Sequence, residues 1–165
     1  MGGRSATVLF AGGGTGGTVG PGIAIAERLR ELDDRIGIVF LCSSRSVDRR
    51  LLDPGNWSAI PTPASSPGIR PMAAWRFLRG WWGTRRIAAR TMPRGFQGRV
   101  VALGGFVAPP VVAEARARRV PVDLLNLDAV AGRANRWIAA RADRVLSAVE
   151  TDLQLEGSPL GMPLR

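Results

Sequence analysis

Gly12, Gly14 and Gly17 stand at the spacing G-x-G-x-x-G, inside a stretch, AGGGTGGTVGPG at 11–22, with seven glycines in twelve residues. Glycine lets a backbone take positive φ and approach an anion closely, and a helix starting behind such a loop adds about half a positive charge. Phosphate binding by backbone N–H groups is the chemistry this pattern suits, and a tight turn that merely packs a helix on a sheet is the alternative. A dinucleotide site would place an acidic residue at the end of the next strand, to hold a ribose hydroxyl. Cys42-Ser43-Ser44-Arg45 stands there instead. That set suits a 2′-phosphate, so an NADP-binding oxidoreductase is a second reading of the loop.

What the chain lacks narrows the chemistry. It has no His, Tyr or Lys, so all 23 basic residues are Arg. Without His, the usual base near neutral pH and the usual metal ligand are missing, and Arg binds anions without serving readily as a base. A lone Cys42 excludes an internal disulfide and a cysteine-built zinc site, and with no His to activate it reads as a buried filler at a strand end. No metal and no cofactor are expected. Acid–base work is left to Asp and Glu.

These groups need a scaffold, and the apolar periodicity supplies one. Thr7–Phe10 and Ile36–Leu41 read as buried strands, and Ile25, Leu29 and Leu32 repeat at helical spacing between them. Strand, helix, strand over about 35 residues is a βαβ unit with a right-handed crossover. Further strands are expected at Trp57–Ile60, Arg99–Leu103, Pro121–Leu125 and Arg144–Ala148, with helices at Ala108–Arg118 and Gly132–Arg141. The repetition predicts an α/β, Rossmann-like, doubly wound parallel sheet over residues 1–150. Residues 151–165, with two prolines and two glycines, read as a linker.

Net charge is +10, unevenly spread. No acidic residue lies between Asp53 and Glu114, whereas eight arginines do. Met72–Met92 joins five of them to Trp75, Phe77, Trp81 and Trp82, a composition suited to an anionic membrane surface. Gly80 and Gly83 interrupt its helical pattern, and a crossover helix with core tryptophans is the competing reading. No nucleic-acid module accompanies these residues, so no nucleic-acid partner is expected. No apolar run reaches eighteen residues and no secretory signal opens the chain, so the expected location is cytoplasmic.

Three blocks together resemble the N-terminal domain of glycosyltransferase family twenty-eight. AGGGTGGTVGPGIAIA at 11–26 is similar to the family's glycine-rich opening, LGGFVAP at 103–109 to its G-G-Y block, and DAVAGRANR at 128–136 to its N-A-V-P-G-L-x-N-R segment. The family's peptidoglycan members add N-acetylglucosamine from a UDP-sugar to a polyprenyl-diphosphate-linked muramyl-pentapeptide, in a two-domain GT-B architecture. The resemblance therefore implies an acceptor-binding half, peripheral on the inner face of the cell membrane. It implies acceptor contacts at Gly13, Gly14, Thr15, Gly16, Gly17, Gly104, Gly105, Phe106, Asn126 and Asn135, with the diphosphate on the glycine loop.

Thr18 replaces the family's His, Phe106 its Tyr, and Leu125-Asn126-Leu127-Asp128 its H-E-Q-N block. An inverting transfer needs a base for the acceptor hydroxyl. The match leaves Asp128 as the carboxylate available for that role, and capping of the following turn is its alternative. Residues 157–165 resemble the family's crossover to a donor domain. The expectation is a half that needs a second domain or subunit holding the UDP-sugar; the alternative is a non-catalytic lipid-phosphate binder.

Overall fold

The computed structural model describes residues 6–14 and 18–153. Six strands form one sheet: β1 Thr7–Ala11, β2 Gly37–Ser43, β3 Ser58–Thr62, β4 Gly98–Ala102, β5 Val122–Asn126 and β6 Arg144–Ser147. Every pairing is parallel and the order is β3-β2-β1-β4-β5-β6. The helices are α1 Val19–Leu32, α2 Ser46–Leu52, α3 Pro71–Thr91, α4 Ala108–Ala117 and α5 Arg133–Ala139. The chain runs outward from β1 to β3, then crosses back to β4 on the other side of β1. In such sheets the crevice beyond the strand C-termini at this reversal is where ligands bind.

The expected Rossmann-like class is therefore observed, with six strands near their predicted positions. Side-chain alternation along the strands builds two cores. Leu9, Ala11 and Leu41 pack with Met92, Val107, Val111 and Ile138 on one face, while Phe10 and Phe40 pack with Val19, Ile23, Leu52 and Trp57 on the other. Central strands buried on both faces read as continuous apolar runs, which is why β1 and β2 stand out in the sequence. The Phe10 and Phe40 rings stack at 4.9 Å across β1 and β2.

Helix α1 starts at Val19, six residues before Ile25, the first apolar residue of the repeat. Pro21 lies in its first turn, where N–H groups have no partner within the helix, so proline removes no hydrogen bond. Helix α2, which the periodicity does not reveal, is two turns long.

Gly80 and Gly83 do not interrupt α3, which runs unbroken for 21 residues. They mark a close crossing instead. A Cβ on Gly80 would lie 2.5 Å from the Pro63 carbonyl oxygen, and one on Gly83 would lie 2.7 Å from the Pro63 ring. Glu114 ties α3 to α4 by accepting from Arg85 at 3.0 Å and Arg118 at 2.8 Å.

The crossover-helix reading of the tryptophans holds in part. Trp81 is half-buried and meets Trp137 edge-on at 6.0 Å. Trp75 and Trp82, by contrast, are 55% and 62% exposed. Among the described residues no helix is long and apolar enough to cross a membrane.

Candidate functional site

The glycine loop leaves the C-terminus of β1, and its structure reveals an internal anion. The Asp48 carboxylate, fully buried on α2, accepts the Gly14 N–H at 2.9 Å, the Ser43 N–H at 3.1 Å and the Ser43 hydroxyl at 2.5 Å. On the other side of the same residue, an Arg45 guanidinium nitrogen donates to the Gly14 carbonyl at 2.6 Å. Gly14 is thus held from both ends. Its φ of +99°, and a Phe106 ring lying where a Cβ would project, restrict the position to glycine.

This arrangement corrects two sequence expectations. The Gly14 N–H faces Asp48 rather than an external phosphate. Ser43 does not offer its donors to a 2′-phosphate either, because both are spent on the same carboxylate. Gly13 is in the described loop beside Asp48, whereas Thr15, Gly16 and Gly17 lie outside the described residues.

The second glycine turn follows β4. Gly104 and Gly105 have φ of +88° and +73°, and a Cβ on Gly105 would stand 2.7 Å from the Gly13 carbonyl oxygen. The two loops therefore touch across the reversal point of the sheet. Beside them opens a cleft of about 390 Å³ lined by Thr18, Gly104, Gly105, Asp128, Arg133 and Asn135. Residues from three separated sequence blocks converge here, as the spacing of the blocks implies. Asp128 is exposed, and among the described residues its carboxylate makes no hydrogen bond, so the turn-capping alternative has no bond behind it. The Thr18 Oγ1 is shielded from solvent and likewise unpartnered.

Asn126 does not reach this cleft as a ligand. It is fully buried, and its amide nitrogen donates to the Asp128 carbonyl at 2.6 Å, with Thr151 Oγ1 at 3.0 Å and Ser147 Oγ at 3.3 Å also in reach. Its carbonyl oxygen accepts from Asn135 Nδ2 at 2.9 Å. Asn126 is therefore a corrected assignment: it positions the turn that carries Asp128. Asn135 serves both sides, bonding Asn126 while its own carbonyl oxygen lies against Gly104.

Phe106 turns the other way and lines a second cleft, of about 320 Å³, with Ser44, Arg45, Ser65, Ser66 and Arg76. Of this group the sequence singled out Ser44 and Arg45, for a 2′-phosphate, and Phe106, but not Ser65, Ser66 or Arg76, nor Asp48 nearby. These come from the segment after β3, from α3 and from α2, and no local spacing joins them.

Cys42 is buried at the end of β2, as expected of a filler. Burial, with the Asp48 charge behind it, pushes its thiol up to about 11.

Comparison with known proteins places this geometry. The glycosyltransferase family 28 N-terminal domain model matches residues 8–147. A Bordetella parapertussis UDP-N-acetylglucosamine--N-acetylmuramyl-(pentapeptide) pyrophosphoryl-undecaprenol N-acetylglucosamine transferase is 36% identical over 96% of this chain and 44% of its own length. The Mycobacterium tuberculosis protein of the same name is 34% identical over 98% and 42%. The crystal structure of Acinetobacter baumannii MurG superposes with a TM-score of 0.69 at 25% identity, over 87% of this chain and 40% of that one. The chain spans less than half the length of these relatives. The match of residues 8–147 to the domain model, together with the shared fold, shows that the chain belongs to glycosyltransferase family 28, through its N-terminal domain.

Proposed function

We propose that this chain is the acceptor-binding half of a glycosyltransferase that moves N-acetylglucosamine from UDP to a polyprenyl-diphosphate-linked sugar. The observation carrying this reading is the convergence of Thr18, Gly104, Gly105, Asp128 and Asn135 on one cleft at the reversal point of the sheet. The named activity of the relatives supplies the substrates. A donor-binding domain or subunit completes the site, and transfer to the acceptor hydroxyl inverts the sugar carbon.

In this reading Asp128 takes the hydroxyl proton as that oxygen attacks. Among the described lining residues of the cleft it is the one carboxylate. Arg133, which lines the same cleft, offers donors to substrate oxygens. Asn135 orients through its amide, and the Thr18 hydroxyl supplies a hydrogen bond where a base is absent.

In this reading the domain rests by the exposed side of α3 on the inner face of the membrane. Met72, Trp75, Arg79 and Trp82 succeed one another at three- and four-residue steps, and Arg79 and Arg85 lie over the Trp75 and Trp82 rings at 5.4 and 5.2 Å. Aromatic rings at the headgroup level and guanidinium groups on lipid phosphate suit such a face.

The test combines the chain with the donor half of a family relative, UDP-N-acetylglucosamine and acceptor-loaded vesicles. Transfer is expected, and Asp128→Asn should lower it at least a hundredfold while leaving vesicle binding intact. A second reading, a non-catalytic lipid-phosphate binder, is favoured by Thr18 standing where the family carries His. Vesicle binding without any transfer would select it.

A further inference from the structure

We infer that Asp152, in the segment that follows β6, is a positioning residue for Asp128, acting by clamping the backbone turn that carries it. The role of Asp128 as a base rests on the function proposed above. The clamp rests on the hydrogen bonds themselves.

The turn between β5 and α5 has little of its own to hold it. Residues 127–132 lie in neither a strand nor a helix, and Asp128, Ala129, Val130 and Gly132 are all exposed. Apolar packing therefore does little to fix the Asp128 backbone. Its carboxylate makes no hydrogen bond among the described residues, so its place in the cleft is set by that backbone. A base must stand within hydrogen-bond reach of the proton it takes, and a shift of about 1 Å can cost about a hundredfold in rate.

Asp152 supplies what packing does not. Its Oδ1 accepts the Ala131 N–H at 2.9 Å, and its own N–H donates to the Ala129 carbonyl at 3.1 Å. Its Oδ2 meets the Arg136 guanidinium at 2.5 Å, and Nε of the same arginine donates to the Ala131 carbonyl at 2.9 Å. Both polar backbone groups of the buried Ala131 are thus held, one by Asp152 and one by its ion-pair partner. The preceding residue adds to the clamp. Thr151 Oγ1 lies 3.0 Å from the Asn126 Nδ2 that donates to the Asp128 carbonyl. Thr151 and Asp152 open the stretch that the sequence pattern reads as a linker, yet both are fastened to this turn.

The energetics favour a geometric role over a stabilising one. The side chains of the Arg136–Asp152 pair are 55% and 36% exposed, and a pair so solvated adds little to the stability of a fold. Its removal should loosen the turn and leave the sheet intact.

Two measurements on the full chain test this. The first is amide exchange, which needs no substrate. In Asp152→Ala the Ala131 N–H should exchange at least about tenfold faster than in wild type, with Leu124 in β5 changed less than about twofold. Asp152→Asn keeps an acceptor for Ala131 and loses the ion pair. It should show the same selectivity with a smaller factor, and it serves where the alanine variant does not fold. Unchanged exchange at Ala131, or equal acceleration at Leu124 in both variants, overturns the clamp.

The second measurement is transfer, with the donor half of a family relative, UDP-N-acetylglucosamine and acceptor-loaded vesicles. Asp152→Ala should lower kcat at least about tenfold and change KM for the UDP-sugar less than about twofold. In an Asp128→Asn background it should change the residual rate less than about twofold, because Asp152 then has no base to position. Glu31→Gln breaks the exposed Arg28–Glu31 pair on α1 and should leave kcat unchanged. Equal loss of rate in both backgrounds sinks the positioning role and leaves the transferase reading standing. No transfer by wild type, with the Ala131 effect present, sinks the transferase reading and keeps the clamp alone.

Discussion

Replacing Asp48 tests whether the glycine loop is organised from within. In Asp48→Ala the Gly14 N–H, the Ser43 N–H and the Ser43 hydroxyl lose a common acceptor. The hydroxyl can rotate to another partner, but the two backbone donors cannot. Each buried donor left unpaired costs about 1–3 kcal/mol, so the variant should lose about 4 kcal/mol in all. Asp48→Asn keeps an oxygen at the Oδ2 position and loses the charge alone, which lowers each bond from the charged to the neutral class, about 1–2 kcal/mol together. For a domain of this size the corresponding drops in Tm are about 12 °C and about 4 °C. Urea unfolding gives the energies, and amide exchange at Gly14 and Ser43 reports whether the loop opens locally. An alanine variant within about 0.5 kcal/mol of wild type, or an asparagine variant worse than alanine, would refute the reasoning.

Three further outcomes are expected. Cys42, with its thiol held up at about 11 against an ordinary 9.0, should be alkylated by iodoacetamide at least about a hundredfold more slowly in the native state than in urea at pH 7.5; rates within tenfold would show that the strand end is open. Gly80→Ala should destabilise by about 1–3 kcal/mol despite alanine's better helix propensity, because its Cβ meets the Pro63 carbonyl. Gly20→Ala in α1, where a Cβ meets nothing within 4 Å, should stabilise by about 0.5–1 kcal/mol, and equal effects at the two sites in urea melts would contradict the crossing. Burial pulls the Glu114 carboxyl upward, but hydrogen bonds from Arg118 and Arg85 outweigh it and leave Glu114 below its ordinary 4.5. A carboxyl lowered on folding adds stability above its unfolded value that is lost as pH falls through the folded one, so the Glu114 contribution should be complete by about pH 6 and fade below about 4.5. Glu114→Gln should flatten that part of the stability–pH curve, and an unchanged slope would count against the α3–α4 pairing.

The sequence by itself determined the sheet, because strands buried on both faces need continuous apolar runs and the turns between them need Gly and Pro. It also determined which blocks face the reversal point, since Gly12–Gly14, Gly104–Phe106 and the turn at Asp128 each follow a strand at its C-terminal end. Gly80 and Gly83 show the limit of local pattern. Read along the chain they are helix breakers; in space they admit the segment after β3, and the contact energy there offsets the propensity cost.

Asn126 and Asp48 show the same limit for chemistry. The family resemblance presents Asn126 as a ligand, yet its depth commits its amide to internal partners. Asp48 belongs to a short helix without periodicity, yet folding carries it 34 residues back to Gly14. Whether a polar side chain meets a substrate or a neighbour depends on what the packed chain brings within about 3 Å of it. The tertiary structure alone decided that the Gly14 N–H meets the protein's own Asp48, and that Arg45 and Arg76 line one cleft.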